Sequence, residues 1–391
     1  MSKNIMNLFL KKLNFIFIIL LTVSCSTDEE KEIIEEIIVD PCENFSEELS
    51  DSELDYITKI LIVDEEINNL WNDFNTLRED PIFILTEIDQ GIYINPTASQ
   101  LEASIPICNE IGGFENLLIY RNEAILEFSK PKVEGEAHYA FAVFEETPLY
   151  IYDITEEPPL DFYSEYKNRN GHYHVSVFYH ELFHAYESKN HELYFAENFT
   201  QSFFQFPITD STLPLLLLLF DVMIDAYHLE NNNQRIKYLE YYVSIQNKLN
   251  EIDPSGNNLI RNHGFYLEKL EGTPRYIEVF STLNSINNNT IDDPTHGYEN
   301  YNLTISSNIE VRQVYARRIF YHTGAGVINL MEKLNYPNID ESFLSPDDMV
   351  FEIAETYLNM SNSEKENTLE EVKLLYDWDS LVLRSDFLLS L

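Results

Sequence analysis

Positive charge is scarce in this chain: 25 Lys and Arg stand against 67 Asp and Glu in 391 residues, a formal charge of −42. Phosphate backbones and anionic lipid headgroups repel such a polyanion, which weighs against nucleic acid and acidic membrane surfaces as partners. Cysteine is scarcer still, with three residues. Cys25, Cys42 and Cys108 show no metal-ligand spacing, so a thiolate metal site is not expected. Outside the cytoplasm Cys42 and Cys108 can pair; two buried thiols are the alternative. Long apolar runs are also missing, since residues 15–21 and 215–219 are too short to span a bilayer. No repeat of fixed period occurs, which leaves solenoids aside. What is plentiful is apolar and aromatic material, 44% hydrophobic with 25 Tyr and 25 Phe, enough for a large core.

Lys3, Lys11 and Lys12 precede the apolar segment Phe15 to Leu21, and Thr22-Val23-Ser24-Cys25 follows. A basic start, a short apolar stretch and small residues before a cut are the anatomy of a secretory signal. The segment resembles a bacterial lipoprotein signal, with Thr22 where that pattern usually has Leu. The resemblance implies removal of residues 1–24, lipidation of Cys25, and anchoring at the outer membrane or cell surface. Residues 25–45 then read as an acidic tether. The run Ser26-Thr27-Asp28-Glu29-Glu30 is similar to the surface-export signal of some bacterial lipoproteins.

From residue 46 to about 77 the pattern is helical, with Ser50-Asp51-Ser52 as capping residues and Leu54, Ile57, Ile60 and Leu61 as an apolar stripe. After Pro81 the texture changes to β-like runs at 82–85, 91–94, 117–120, 139–144 and 149–152, which predict a small sheet. Past Pro158-Pro159 and an alternating stretch with His172 and His174, to which no role is assigned, nearly everything reads as helix. The helices are expected at 214–229, 234–249, 258–283, 309–334 and 363–376, with a polar loop over 284–301. The fold class predicted is α+β.

The motif with chemistry is His180-Glu181-Leu182-Phe183-His184. Residues four apart lie on one helical face, so both imidazoles can point at one Zn²⁺. Glu181, one residue on, reaches the outer sphere without being a ligand and can take a proton from water and return it to a leaving amine. Val175, Phe178, Leu182 and Tyr186 recur as an amphipathic helix requires.

Zinc catalysis takes a third protein ligand, and the sequence offers three candidates. His191 falls one residue late for the metzincin spacing, with Glu187 where that pattern has Gly. Glu197 is within reach if the metal helix ends near Ser188 and the chain turns back. Glu271 opens Glu271-Gly272-Thr273-Pro274-Arg275-Tyr276. That block after a His-Glu-x-x-His helix resembles the gluzincin peptidases, as does Tyr315 to Gly326 further on. The likeness covers roughly residues 165 to 335.

The resemblance implies a zincin-like domain over 46–391, an α/β lobe with the metal helix at 46–188 and a helical lobe at 189–391. Substrate would lie between the lobes. It also implies that Glu271 is the third zinc ligand, that Gly272 lets helices approach closely, and that Tyr321 or His322, with Tyr276 behind, stabilises an oxyanion. Pro274 stands where those peptidases usually carry Ala, and a proline there can kink the helix. On the residues alone, Glu268, Glu271, Arg275 and Glu278 also read as a solvated helical stripe. Arg317 and Arg318 are either a carboxylate clamp for substrate or plain ion-pair partners. The expected function is a zinc metallopeptidase hydrolysing peptide bonds by a zinc-activated water. The alternatives are a non-enzymatic surface lipoprotein of zincin-like fold binding glycan or protein, and a hydrolase of non-peptide amides.

Overall fold

The computed structural model describes residues 47–71, 73–108, 117–133, 139–155, 172–190, 199–279, 305–345 and 348–391, all of them within one unit, Phe45–Leu391. The signal, the tether, Cys25, Cys42, the loops at Pro158-Pro159 and 284–301, and the ligand candidates His191 and Glu197 lie outside the described residues. Cys108 is disulfide-bonded, and the other two cysteines of the chain are outside the described residues. Among the described residues no helix is long and apolar enough to cross a membrane.

In chain order the elements are β1 (Glu47–Glu48), α1 (Asp51–Leu70), α2 (Thr76–Glu79), β2 (Ile82–Glu87), β3 (Gln90–Ile94), β4 (Ile105–Cys108), β5 (Ile119–Arg121), α3 (Glu123–Val133), β6 (Tyr139–Phe144) and β7 (Thr147–Asp153). There follow α4 (His172–Asn190), α5 (Phe199–Gln205), α6 (Leu213–Ala226), α7 (Asn232–Glu251), α8 (Tyr266–Tyr276), α9 (Asn308–Gln313), α10 (Ile319–Lys333), α11 (Ile339–Leu344), α12 (Val350–Leu358), α13 (Asn362–Leu375) and α14 (Trp378–Leu389). Two π-helical turns, Ile260–Phe265 and Val314–Arg318, lead into α8 and α10. The fold is therefore α+β, sheet first and helices after.

The sheet has seven strands in the order β1-β4-β5-β3-β2-β7-β6. The β1/β4 and β2/β7 pairs are parallel and the rest antiparallel. Alternation sorts the side chains between two apolar layers: Ile82, Ile84, Ile92 and Ile94 join the main core, while Phe83, Leu85 and Tyr93 pack with Ile125 and Val133 of α3. The sheet is larger than the sequence pattern suggests because Pro106 interrupts the run of β4 and the two-residue β1 is too short to show a period.

Helix α1 begins at Ser50, whose hydroxyl accepts from Glu53 N–H while the Glu53 carboxylate accepts from Ser50 N–H, a capping box. Glu53 is buried and also meets Arg121 of β5 at 2.6 Å, which ties the helix to the sheet. The helical pattern expected to about residue 77 is interrupted after Leu70 and resumes as α2. The leucine run of α6 is core: Leu215 to Leu219 are each at most 3% exposed.

Helix α4 is held by aromatic contacts. Phe178 meets Tyr152 at 5.5 Å and Tyr56 at 6.4 Å, and Phe183 meets Trp71 at 5.1 Å and Phe74 at 5.0 Å. Each such pair contributes about 0.5–1.5 kcal/mol beyond burial. Tyr179 donates to the Ile60 carbonyl at 2.7 Å. These contacts orient the opposite face of α4 toward α8. His172 and His174, expected on an alternating stretch, are in its first turn.

Helices α8 and α10 touch through backbone. A Cβ added at Gly272 would lie 2.7 Å from Gly324 Cα; one added at Gly324 would lie 2.8 Å from Gly272 Cα and would strike the Glu268 carbonyl. Helix α8 continues through Pro274 to Tyr276, so the proline does not end it near Glu271. The Glu268 carboxylate is fully buried among Tyr242 Oη at 2.6 Å, Gln246 Nε2 at 3.2 Å and Thr323 Oγ1, with no cation against it among the described residues. Burial pushes its pKa up to about 7 although all three donors act the other way. Gly324→Ala is expected to force the helices apart and cost about 2 kcal/mol or more, read as a lower midpoint in urea denaturation against Gly326→Ala, whose added methyl would meet the flexible Met223 side chain.

Candidate metal centre

His180 and His184 stand one turn apart on α4, ring centroids 4.9 Å apart. Glu271 of α8 faces both: its Oε2 is 3.2 Å from His184 Nε2 and 3.5 Å from His180 Nε2. One donor atom from each residue lies within 4.8 Å of the others, and all three residues are buried. The structure thus brings Glu271 to the histidine pair.

The other nitrogen of each ring is also engaged. His180 Nδ1 lies 3.0 Å from Glu278 Oε2, and His184 Nδ1 lies 3.1 Å from Glu187 Oε2. With Nδ1–H donated to these carboxylates, each Nε2 is directed at Glu271. Arg275 forms an ion pair with Glu278. The stripe Glu268, Glu271, Arg275, Glu278 is therefore not solvated: the four are 0%, 8%, 5% and 3% exposed. Sequence periodicity marks a shared face but not what covers it, and here α4 and α10 cover it.

Charge compensation dominates the site. Burial opposes protonation of His180, yet its bonds to Glu271 and Glu278 win and raise its pKa to about 9. His184 is raised well above its ordinary value against the same burial, by Glu271 and Glu187. Burial would raise Glu271, but the positive His184 and the two histidine bonds hold it well below the usual carboxylate range. Burial lifts Glu187 to about 7 despite its His184 bond. The carboxylates that favour the charged form of both rings would equally favour a cation at the ring nitrogens, whose binding would release protons.

Glu181 borders the group at intermediate exposure. Tyr139, the first residue of β6, adjoins it: burial raises the phenol's pKa and the Glu181 charge raises it further. Tyr321 of α10 lies parallel to the His180 ring, centroids 6.1 Å apart and planes 9° apart, and its hydroxyl bonds Glu271. His322 is buried, its pKa well below the ordinary value through burial, Arg275 and Arg318. Tyr276 belongs to the core, 6.4 Å from Trp71, with its hydroxyl bonded to Glu332. Of the three expected oxyanion residues, Tyr321 is the one against the His180 ring. Arg317 donates from Nη2 to Tyr321 Oη at 3.3 Å.

Glu187, Glu278 and Tyr139 were not expected at the site. Glu187 follows His184 by three residues and so shares its helical face, a signal present in the sequence; Tyr139 comes from β6, remote in sequence from α4.

Removing a donor atom and removing its support differ in magnitude. Glu271→Ala, His180→Ala and His184→Ala are expected to abolish stoichiometric zinc binding, whereas Glu278→Gln should weaken it about 10 to 100-fold, measured by competition with a chromogenic chelator. Compared with models of known protein families, with curated proteins and with solved structures, the chain matches none.

Proposed function

We propose that the protein is a zinc-dependent metallopeptidase of gluzincin type, with Zn²⁺ held by His180, His184 and Glu271. The observation that carries this reading is the convergence of two imidazole nitrogens and a carboxylate within 4.8 Å, each imidazole braced from behind by a second carboxylate. Two nitrogens and one oxygen form a donor set that suits zinc and leaves further coordination positions open. Bound zinc would supply a Lewis acid that polarises the scissile carbonyl and acidifies water.

The chain's own residues supply the remaining steps. Glu181 accepts a proton from the attacking water at its carboxylate and delivers it to the leaving amine nitrogen. The Tyr321 hydroxyl stabilises charge developing on the carbonyl oxygen. Glu278 and Glu187 fix the two rings through Nδ1–H, and Arg275 holds Glu278. The Gly272–Gly324 approach and the order of the motifs along the chain support a zincin-like fold, with the α/β lobe ending at the metal helix and the helical lobe after it. The Glu181 carboxylate favours an enzyme over a binding protein of the same shape, because binding alone has no use for a proton acceptor next to the ligands.

In Glu181→Gln the zinc content should equal that of the wild type while cleavage of an unfolded-protein or peptide library falls by at least about 10² to 10⁴-fold. Cleavage at the wild-type rate would remove Glu181 from this role. The N-terminal pattern supports a lipid-anchored protein at the outer membrane or cell surface, acting on peptide or protein substrates. Cys25→Ser is expected to move the protein from the membrane to the soluble fraction, since acylation adds the apolar area that the acidic tether lacks; retention in the membrane would point to another anchor.

A further inference from the structure

The π-helical turn Val314–Arg318 runs directly into α10 and sets Arg317 and Tyr321 four residues apart on one face. The Arg317 guanidinium lies 6.0 Å from the centre of the Tyr321 ring and 5.8 Å from that of Phe199, with Nη2 3.3 Å from Tyr321 Oη. Tyr321 in turn lies parallel to His180 at 6.1 Å. Guanidinium, phenol and imidazole thus form a file leading inward: Arg317 is exposed, Tyr321 half-buried, and His180 buried. A guanidinium laid over aromatic rings is held in orientation, and its N–H fork matches the two oxygens of a carboxylate. Arg318 adds a second positive charge next in the chain; after burial and Arg275 it is a further cause of the lowered pKa of the neighbouring His322.

We propose that Arg317 is a specificity-determining residue that binds a carboxylate of the peptide substrate beside the metal centre. This rests on the peptidase reading and names its substrate class. Two successive steps of 6.1 and 6.0 Å bound the distance from the His180 ring to the guanidinium. An extended peptide covers that span in about four residues or fewer, so the carboxylate belongs close to the bond that is cut. It is either the α-carboxylate of the chain end or an acidic side chain. The negative charge of the whole protein does not forbid this, because exposed charges are screened beyond about 8 Å at physiological ionic strength whereas the clamp acts in contact.

The test uses the zinc-loaded mature protein carrying Glu181→Gln, which binds peptides without cutting them. Two matched peptide pairs are titrated by calorimetry: one differs in a C-terminal carboxylate or amide, the other in an internal Glu or Gln. The carboxylate member of one pair is expected to bind about tenfold tighter or more, since a charge-assisted pair is lost in its partner; which pair responds identifies the source. Adding Arg317→Gln should erase the difference with zinc content unchanged, and Arg317→Lys should keep part of it. Equal affinities within both pairs, or a difference that survives Arg317→Gln, overturns the proposal. Loss of zinc in both Arg317 variants also overturns it, since Arg317 would then be acting on the site through Tyr321 and Glu271. A preference in a protein whose Glu181 form cuts no peptide would keep the clamp and remove the peptidase reading; cleavage without preference would do the reverse.

Discussion

Carboxylates leave water only against compensating charge or hydrogen bonds, and this requirement organises the centre of the molecule. Glu187, Glu271 and Glu278 are buried beside His180, His184 and Arg275. Neither α4 nor α8 can bury its polar face alone, because each would carry uncompensated charge into the core. Packed together they satisfy one another. The aromatic layer of Trp71, Phe74, Phe178 and Phe183 fixes α4 from the other side, so the registration of the two helices is determined twice over, by apolar contact and by charge.

The second constraint is steric. Gly272 and Gly324 let α8 and α10 meet at backbone distance, which brings Tyr321 over His180 and Thr323 onto Glu268. With a side chain at either glycine the two helices would stand further apart, and the stacking of Tyr321 on His180 would change with them. Arg317, one turn earlier, inherits its position from the same contact.

Much of this was legible in the chain. The histidine spacing, the apolar pattern of α4, the strands β2, β3, β5, β6 and β7 and the helices α6, α7, α8, α10 and α13 follow from local periodicity, which a reader of one sequence can count. Four features did not follow. Strand β4 and helix α3 are short, and Pro131 inside α3 obscures its period. The Glu268 to Glu278 stripe has the period of a solvated face and is a buried one, because composition records polarity and not what packs against it. Glu271 and Glu197 were both open as partners of the histidines; the fold brings Glu271 within hydrogen-bonding distance of His184, while Glu197 lies outside the described residues.

The sequence by itself determined which residue types can do chemistry and which face of α4 presents them, since spacing along a helix is a local property that needs no partner. It also determined the class, a run of strands followed by helices. Only the tertiary structure decided that Glu271 and Glu278 meet the histidines and that Tyr321 lies over His180. Those choices join residues roughly 90 to 140 positions apart, as with His184 to Glu271 and His180 to Tyr321. Contacts of that range are set by how buried charge and backbone sterics are satisfied together, and no window along the chain contains both partners.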